Sequence, residues 1–171
     1  EAKPFVTQAS QTLGNYILDP SFEIAATTLS NWNLIPTTGT ISRFATSAKY
    51  GTAVAKMVLT AGTVVQRMDQ EHNNKFASGD TLSLSAWVQL VALSSGVGAT
   101  LGLRERNSGG VFIADTSATL TATGTAWVQM KLEGVVIGAA ATGTIMVFLD
   151  HTSTNPTGTG TILWDGIGLW K

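Results

Sequence analysis

Apolar residues recur along this chain at every second position, in short runs broken by Gly, Asn, Asp and Ser. The segment Thr144–His151 shows it plainly: Ile145, Val147 and Leu149 form one row, and Thr144, Met146, Phe148 and Asp150 alternate with them. A period of two marks a half-buried β-strand, whose side chains point to opposite faces in turn. The same reading predicts strands at Gly39–Phe44, Ala53–Leu59, Thr63–Asp69, Thr81–Leu90, Thr100–Arg106, Val111–Asp115, Trp127–Glu133 and Thr161–Trp170. In Thr81–Leu90 the inward row is Leu82, Leu84, Ala86 and Val88, and Ser83, Ser85, Trp87 and Gln89 face out. In Thr100–Arg106, Leu101 and Leu103 face in, and Gly102, Arg104 and Arg106 face out.

Turn-forming clusters separate these runs, such as Asn107 to Gly110, Ser78-Gly79-Asp80 and Asn155 to Gly160. Nowhere does an apolar period of 3.6 persist for three turns. The pattern predicts an all-β fold, a sandwich or jelly roll. Residues 14–171 are expected to form one domain, and 1–13 a linker or leading strand. The string Ala86-Trp-Val-Gln89 returns as Ala126-Trp-Val-Gln129. Internal duplication and two similar strands of one sandwich both explain that echo.

Composition agrees with the pattern. Threonine occurs 25 times and glycine 18 times in 171 residues, which suits pleated surfaces and turns. Ten Lys+Arg against 11 Asp+Glu give a net charge of −1, so the basic excess of a nucleic-acid binder is missing. No apolar stretch approaches the ~18 residues of a membrane helix; Val135 to Ala141, for example, is broken by glycine. No membrane insertion is therefore expected. The start, without Met or a cationic-then-apolar leader, reads as a piece of something larger. Only 12% of residues are charged, fewer than isolated domains usually carry for solubility. That surface suits either a secreted module or a part of an extracellular assembly.

The chemistry of catalysis is thin. There is no cysteine, which excludes disulfides, thiolate metal sites and cysteine nucleophiles. The two histidines, His72 and His151, have no partners at a recognisable spacing, and no GxSxG, HExxH or Walker sequence occurs. Two carboxylates suffice for glycoside hydrolysis, and spacing alone does not select a pair. The chain reads as a non-enzyme.

Three segments carry a family resemblance. Asn15-Tyr-Ile-Leu-Asp-Pro-Ser-Phe-Glu23 followed by Asn31-Trp32 resembles the opening of β-sandwich carbohydrate-binding modules of the family 4, 9, 16 and 22 type. Val64-Val-Gln-Arg-Met68 and Gly79-Asp-Thr-Leu-Ser-Leu-Ser-Ala-Trp-Val88 are similar to its middle, although Leu82 stands where the family usually has an aromatic. Trp127 and Ile162-Leu-Trp-Asp-Gly-Ile-Gly-Leu169 resemble its end. The resemblance implies a non-catalytic jelly-roll β-sandwich of two antiparallel sheets, commonly fused to a glycosidase and found also in phage tail and virion proteins. It implies a polysaccharide or cell-surface glycan as partner, with other virion subunits as a further possibility, and a secreted or virion-surface location. It also implies a structural Ca²⁺, with Glu23 and Asp165 matching the acidic ligands and carbonyls around Ala48 to Thr52 adding oxygens. The other reading of these two residues is that Glu23 caps a turn and Asp165 pairs with Lys49 or Lys171.

A glycan site needs aromatic rings for the C–H faces of sugars and fixed polar groups for their hydroxyls. Phe148 and Asp150, Arg104 and Arg106, Arg67 and Phe112 meet that need if their strands are neighbours, as in the resembled fold. They would then form one concave polar and aromatic face. Trp32, Trp87, Trp127 and Trp164 are expected mainly in packing, whereas Trp170 lies on an outward parity.

Overall fold

The computed structural model describes residues 14–24, 28–36, 39–46, 48–62, 66–94, 96–121, 124, 126–141, 143–153 and 158–171. The linker or leading strand expected at 1–13 lies outside them. Among the described residues there are ten strands: β1 (Asn33–Pro36), β2 (Thr40–Ala45), β3 (Ala53–Leu59), β4 (Gln66–Asn73), β5 (Thr81–Val91), β6 (Val97–Arg106), β7 (Phe112–Leu120), β8 (Val128–Val136), β9 (Thr144–Ser153) and β10 (Gly160–Trp170). No helix among them is long and apolar enough to cross a membrane.

The strands form two five-stranded antiparallel sheets. Sheet A has the order β1-β4-β9-β6-β7 and sheet B the order β2-β3-β10-β5-β8. Apart from the hairpins β2–β3 and β6–β7, each strand is followed by one in the opposite sheet, the alternation of a jelly roll. The inward rows meet between the sheets. Leu82, Leu84, Ala86 and Val88 of β5 pack there with Leu101 and Leu103 of β6, Val147 and Leu149 of β9, and Trp164 of β10. Alternation assigns the rows of β5, β6 and β9, because one face of each strand must leave water to offset the entropy of ordering the chain.

The structure adds what alternation does not carry. Strand β1 is too short to show a period, and it exists by pairing Asn33 with Asp69 and Ile35 with Arg67. Strand β7 runs on to Leu120 through Asp-Thr-Ser-Ala-Thr, which has no apolar row; the ladder to β6 holds it. At its start, Asn107 Oδ1 accepts the N–H groups of Gly109 and Val111 at 2.9 and 3.0 Å, which closes the hairpin. The two echoing strings lie side by side, with Trp87 opposite Gln129 and Val88 opposite Val128. They are similar strands of one sheet.

Candidate ligand-binding face and cation corner

The outer face of sheet A gathers all six residues singled out for ligand binding. Arg67 stands on β4, Phe148 and Asp150 on β9, Arg104 and Arg106 on β6, and Phe112 on β7, four strands in hydrogen-bonded succession. Register sets their spacing. Ile35, Arg67, Asp150, Thr100 and Thr119 form one row across the sheet; Asn33, Asp69, Phe148, Gly102 and Ser117 form the next; Glu71, Met146, Arg104 and Asp115 follow.

Within that lattice each guanidinium has a carboxylate. Arg67 Nη2 lies 2.7 Å from Asp150 Oδ2, and its Nε donates to the same oxygen at 3.0 Å. Arg104 holds Asp115 in a fork of 2.8 and 2.7 Å, the geometry that suits a planar guanidinium best. This pairing is the first cause of its raised affinity for the proton. Arg106 reaches Glu71 at 3.2 Å. Asp69, nearly inaccessible, accepts from Asn33 Nδ2 at 3.3 Å, and burial raises its carboxyl above the usual range.

Phe148 has the outward parity expected of it, yet it is only 3% exposed. The outer end of its ring lies over Gly102, where any Cβ would overlap it. The guanidinium carbons of Arg67 and Arg104 then cover it, 4.6 and 5.6 Å from the ring centroid. Phe112 is the open ring of the face, 54% exposed, with Arg104 5.2 Å from its centroid. The acidic partners Asp69, Glu71 and Asp115 were not among the sequence candidates. Their only signal was register, which a single strand does not display.

Glu23 and Asp165 converge on the loop 48–53 from opposite ends of the chain. Glu23 Oε1 accepts the N–H groups of Thr52 and Ala53, each at 2.7 Å, and Oε2 accepts the Thr52 hydroxyl at 3.0 Å. Asp165, fully buried, accepts from Tyr50 N and Gly166 N, both at 2.7 Å. Neither lysine side chain pairs with Asp165: Lys171 bonds Asp80 at 2.9 Å, and the Lys49 ammonium lies 3.9 Å over the Trp87 ring. The Lys49 backbone N–H does donate to the carboxyl. Burial pushes the Asp165 carboxyl up to about 7, and the nearby Glu23 charge pushes the same way against the backbone hydrogen bonds. Asp19 belongs to this corner. Its Oδ1 accepts from Glu23 N and Ile24 N at 2.7 and 3.2 Å, while buried Oδ2 has no partner. Phe22, at φ 58°, takes a left-handed conformation that is costly for a bulky residue, and it aims Glu23 at the loop. Among the described residues no group of three or more His, Asp and Glu side chains is arranged to hold a metal by itself. A cation here would need backbone oxygens as well.

The fold recurs in known structures. A tailspike protein 4 domain of bacteriophage CBA120 is similar over 91% of this chain, with 13% identity and a TM-score of 0.69. A family 22 xylan-binding domain from Paenibacillus barcinonensis matches over 92% of this chain and 94% of its own, with 16% identity and a TM-score of 0.64. A family 16 carbohydrate-binding module matches over 92% of this chain and all of its own, with 16% identity and a TM-score of 0.63. The chain spans about a fifth of the tailspike chain, 21%, but nearly the whole of the binding modules. No protein-family model and no curated protein matches it. At these identities the likeness establishes the fold: a β-sandwich of the carbohydrate-binding-module type.

Proposed function

We propose that the domain is a non-catalytic glycan-binding module, secreted or carried on a virion surface, whose ligand lies across the outer face of sheet A. The observation that supports this reading is the convergence of Arg67, Arg104, Arg106, Phe112, Phe148 and Asp150 on that face. Roles follow from exposure. Phe112 and the guanidinium planes of Arg67 and Arg104 offer flat surfaces to sugar C–H groups, and guanidinium edges donate to hydroxyls. Asp150, Asp115 and Glu71 accept from hydroxyls while holding the arginines in place. Phe148 is the support on which the two guanidinium groups rest. Native gels containing soluble polysaccharides test the proposal. Retardation by one polysaccharide class, lost in Arg104→Ala without release of reducing sugar, is the expected result. Indifference to every polysaccharide, or full retardation of Arg104→Ala, overturns it.

Calcium is part of the same proposal. Glu23 and Asp165 would hold a structural Ca²⁺ with oxygens of the 48–52 loop, and the unpartnered Asp19 Oδ2 fits a cation nearby. Ca²⁺ takes six to eight oxygens, carbonyls included. Bound there it would neutralise a buried carboxylate and tie the first residues of the domain to its last strand. Chelator is expected to lower the thermal midpoint by several degrees, because a ligand of the native state stabilises it. An unchanged midpoint removes calcium from the account.

A second reading, a virion structural domain, is favoured by one observation. Val111 and Phe112, beside the turn into the edge strand β7, are 61% and 54% exposed, an adjacent apolar pair suited to a neighbouring subunit. Light scattering separates the readings: a stable oligomer favours assembly and a monomer favours the binding module.

A further inference from the structure

The outer face of sheet B carries a second groove, built on a different principle. Strand β10 bulges between Asp165 and Gly168 as it pairs with β5. Gly166, at φ +56°, lies beneath the rings of Tyr50 and Trp87, and Gly168 lies beneath the indole of Trp170; a Cβ at either would overlap a ring. The two glycines therefore lower the floor, while the rings stand beside it. On one side of Trp170 is a cavity of about 230 Å³ lined by Tyr50, Trp87, Ser85 and Gln129. On the other is one of about 240 Å³ that shares Ser85, Gln129 and Trp170 and adds Ser83, Lys131 and Glu133. Trp170, 39% exposed, is the ridge between them.

The lining states the chemistry of the occupant. Aromatic walls are combined with short neutral hydrogen-bonding groups, Ser83, Ser85 and Gln129. The charged lining residues, Lys131 and Glu133, are matched at 3.5 Å, and the single cation of Lys49 is stacked over the Trp87 ring, so the groove offers no cluster of charge to an ionic ligand. Two adjoining dents of nearly equal size, sharing one indole, suit a repeating ligand with apolar and hydroxylated faces. We propose that this groove is a second binding site, for two successive residues of a neutral oligosaccharide, with Trp170 between them. The outer faces of sheets A and B lie on opposite sides of the core, so the site does not depend on the sheet A reading.

Resonances of the indole N–H groups provide the test. The intact chain, labelled with nitrogen-15, is titrated with cellohexaose, xylohexaose and mannohexaose, and the Trp87 and Trp170 signals are followed. A saturable shift of both with one sugar is expected, weakened at least about tenfold by Trp170→Ala and unaltered by Arg67→Ala. Gln129→Ala, at an exposed position, gives the same comparison should Trp170→Ala unfold. Indoles that stay still with all three sugars overturn the proposal. So does a shift abolished by Arg67→Ala, which would assign binding to sheet A alone, or one untouched by both sheet B variants.

Discussion

The two outer faces of this sandwich use aromatic rings in opposite ways. On sheet A, Phe148 sinks onto Gly102 and is roofed by Arg67 and Arg104, whose charges are matched by Asp150 and Asp115. On sheet B, glycines at a bulge lower the floor and Trp170 remains in water as a ridge. Glycine makes both arrangements possible, by letting a ring approach the backbone. What differs is the neighbouring strand: arginines flank the ring on sheet A, whereas serines and Gln129 surround the ring on sheet B. A covered ring contributes to stability and organises charge; an open ring is available to a ligand.

Truncating the two rings should separate these roles most clearly. Phe148→Ala is expected to cost about 3 kcal/mol, in the range of a buried phenylalanine, and to release both guanidinium groups. Trp170→Ala should cost under about 1 kcal/mol, as exposed substitutions usually do. Chemical denaturation measures both, and equal costs would break the contrast. Next in size is Gly102→Ala, expected to destabilise by about 1–3 kcal/mol because the added Cβ must displace a ring already covered. A neutral effect would show that Phe148 is free to move.

Smaller effects concern titration. Asp165 holds its proton more tightly when folded, up to about 7 against 3.8. Its contribution is therefore greatest below the unfolded value and is lost as pH rises towards 7. His72 is lowered from 6.5 to about 4, by burial first and by Lys75 second. Its contribution is present above 6.5 and is lost as pH falls towards 4. The two oppose each other in the same window. In chelator, Asp165→Asn should make the midpoint fall more steeply on acidification than in wild type, and His72→Gln should make it rise. Parallel profiles for all three proteins would exclude this opposition. Smallest is Asp115→Asn, expected to cost about 0.5 kcal/mol as a partly exposed ion pair, while weakening glycan retardation if Arg104 must be held flat.

Much of the fold was legible because burial imposes a period. Ala53–Leu59 matches β3 residue for residue, and the inward rows of β5, β6 and β9 are the core. Outward parity was legible too, but that outward residues distant in sequence share one face followed only from the strand order of the resembled fold. Exposure was not. Phe148 reads as an open ring because alternation tells which way a side chain points, not what covers it.

The sequence by itself determined the class of fold, the inward rows, the low charge and the lack of cysteine chemistry, all of which depend on composition or near-neighbour order. Tertiary structure alone decided the rest: that β1 exists, that β7 extends through Thr and Ser, and that Asp115 meets Arg104. It also decided that β10 bulges to open a groove beside Trp170. Each of these depends on register between strands far apart in the chain, set by how whole sheets pack rather than by any local preference.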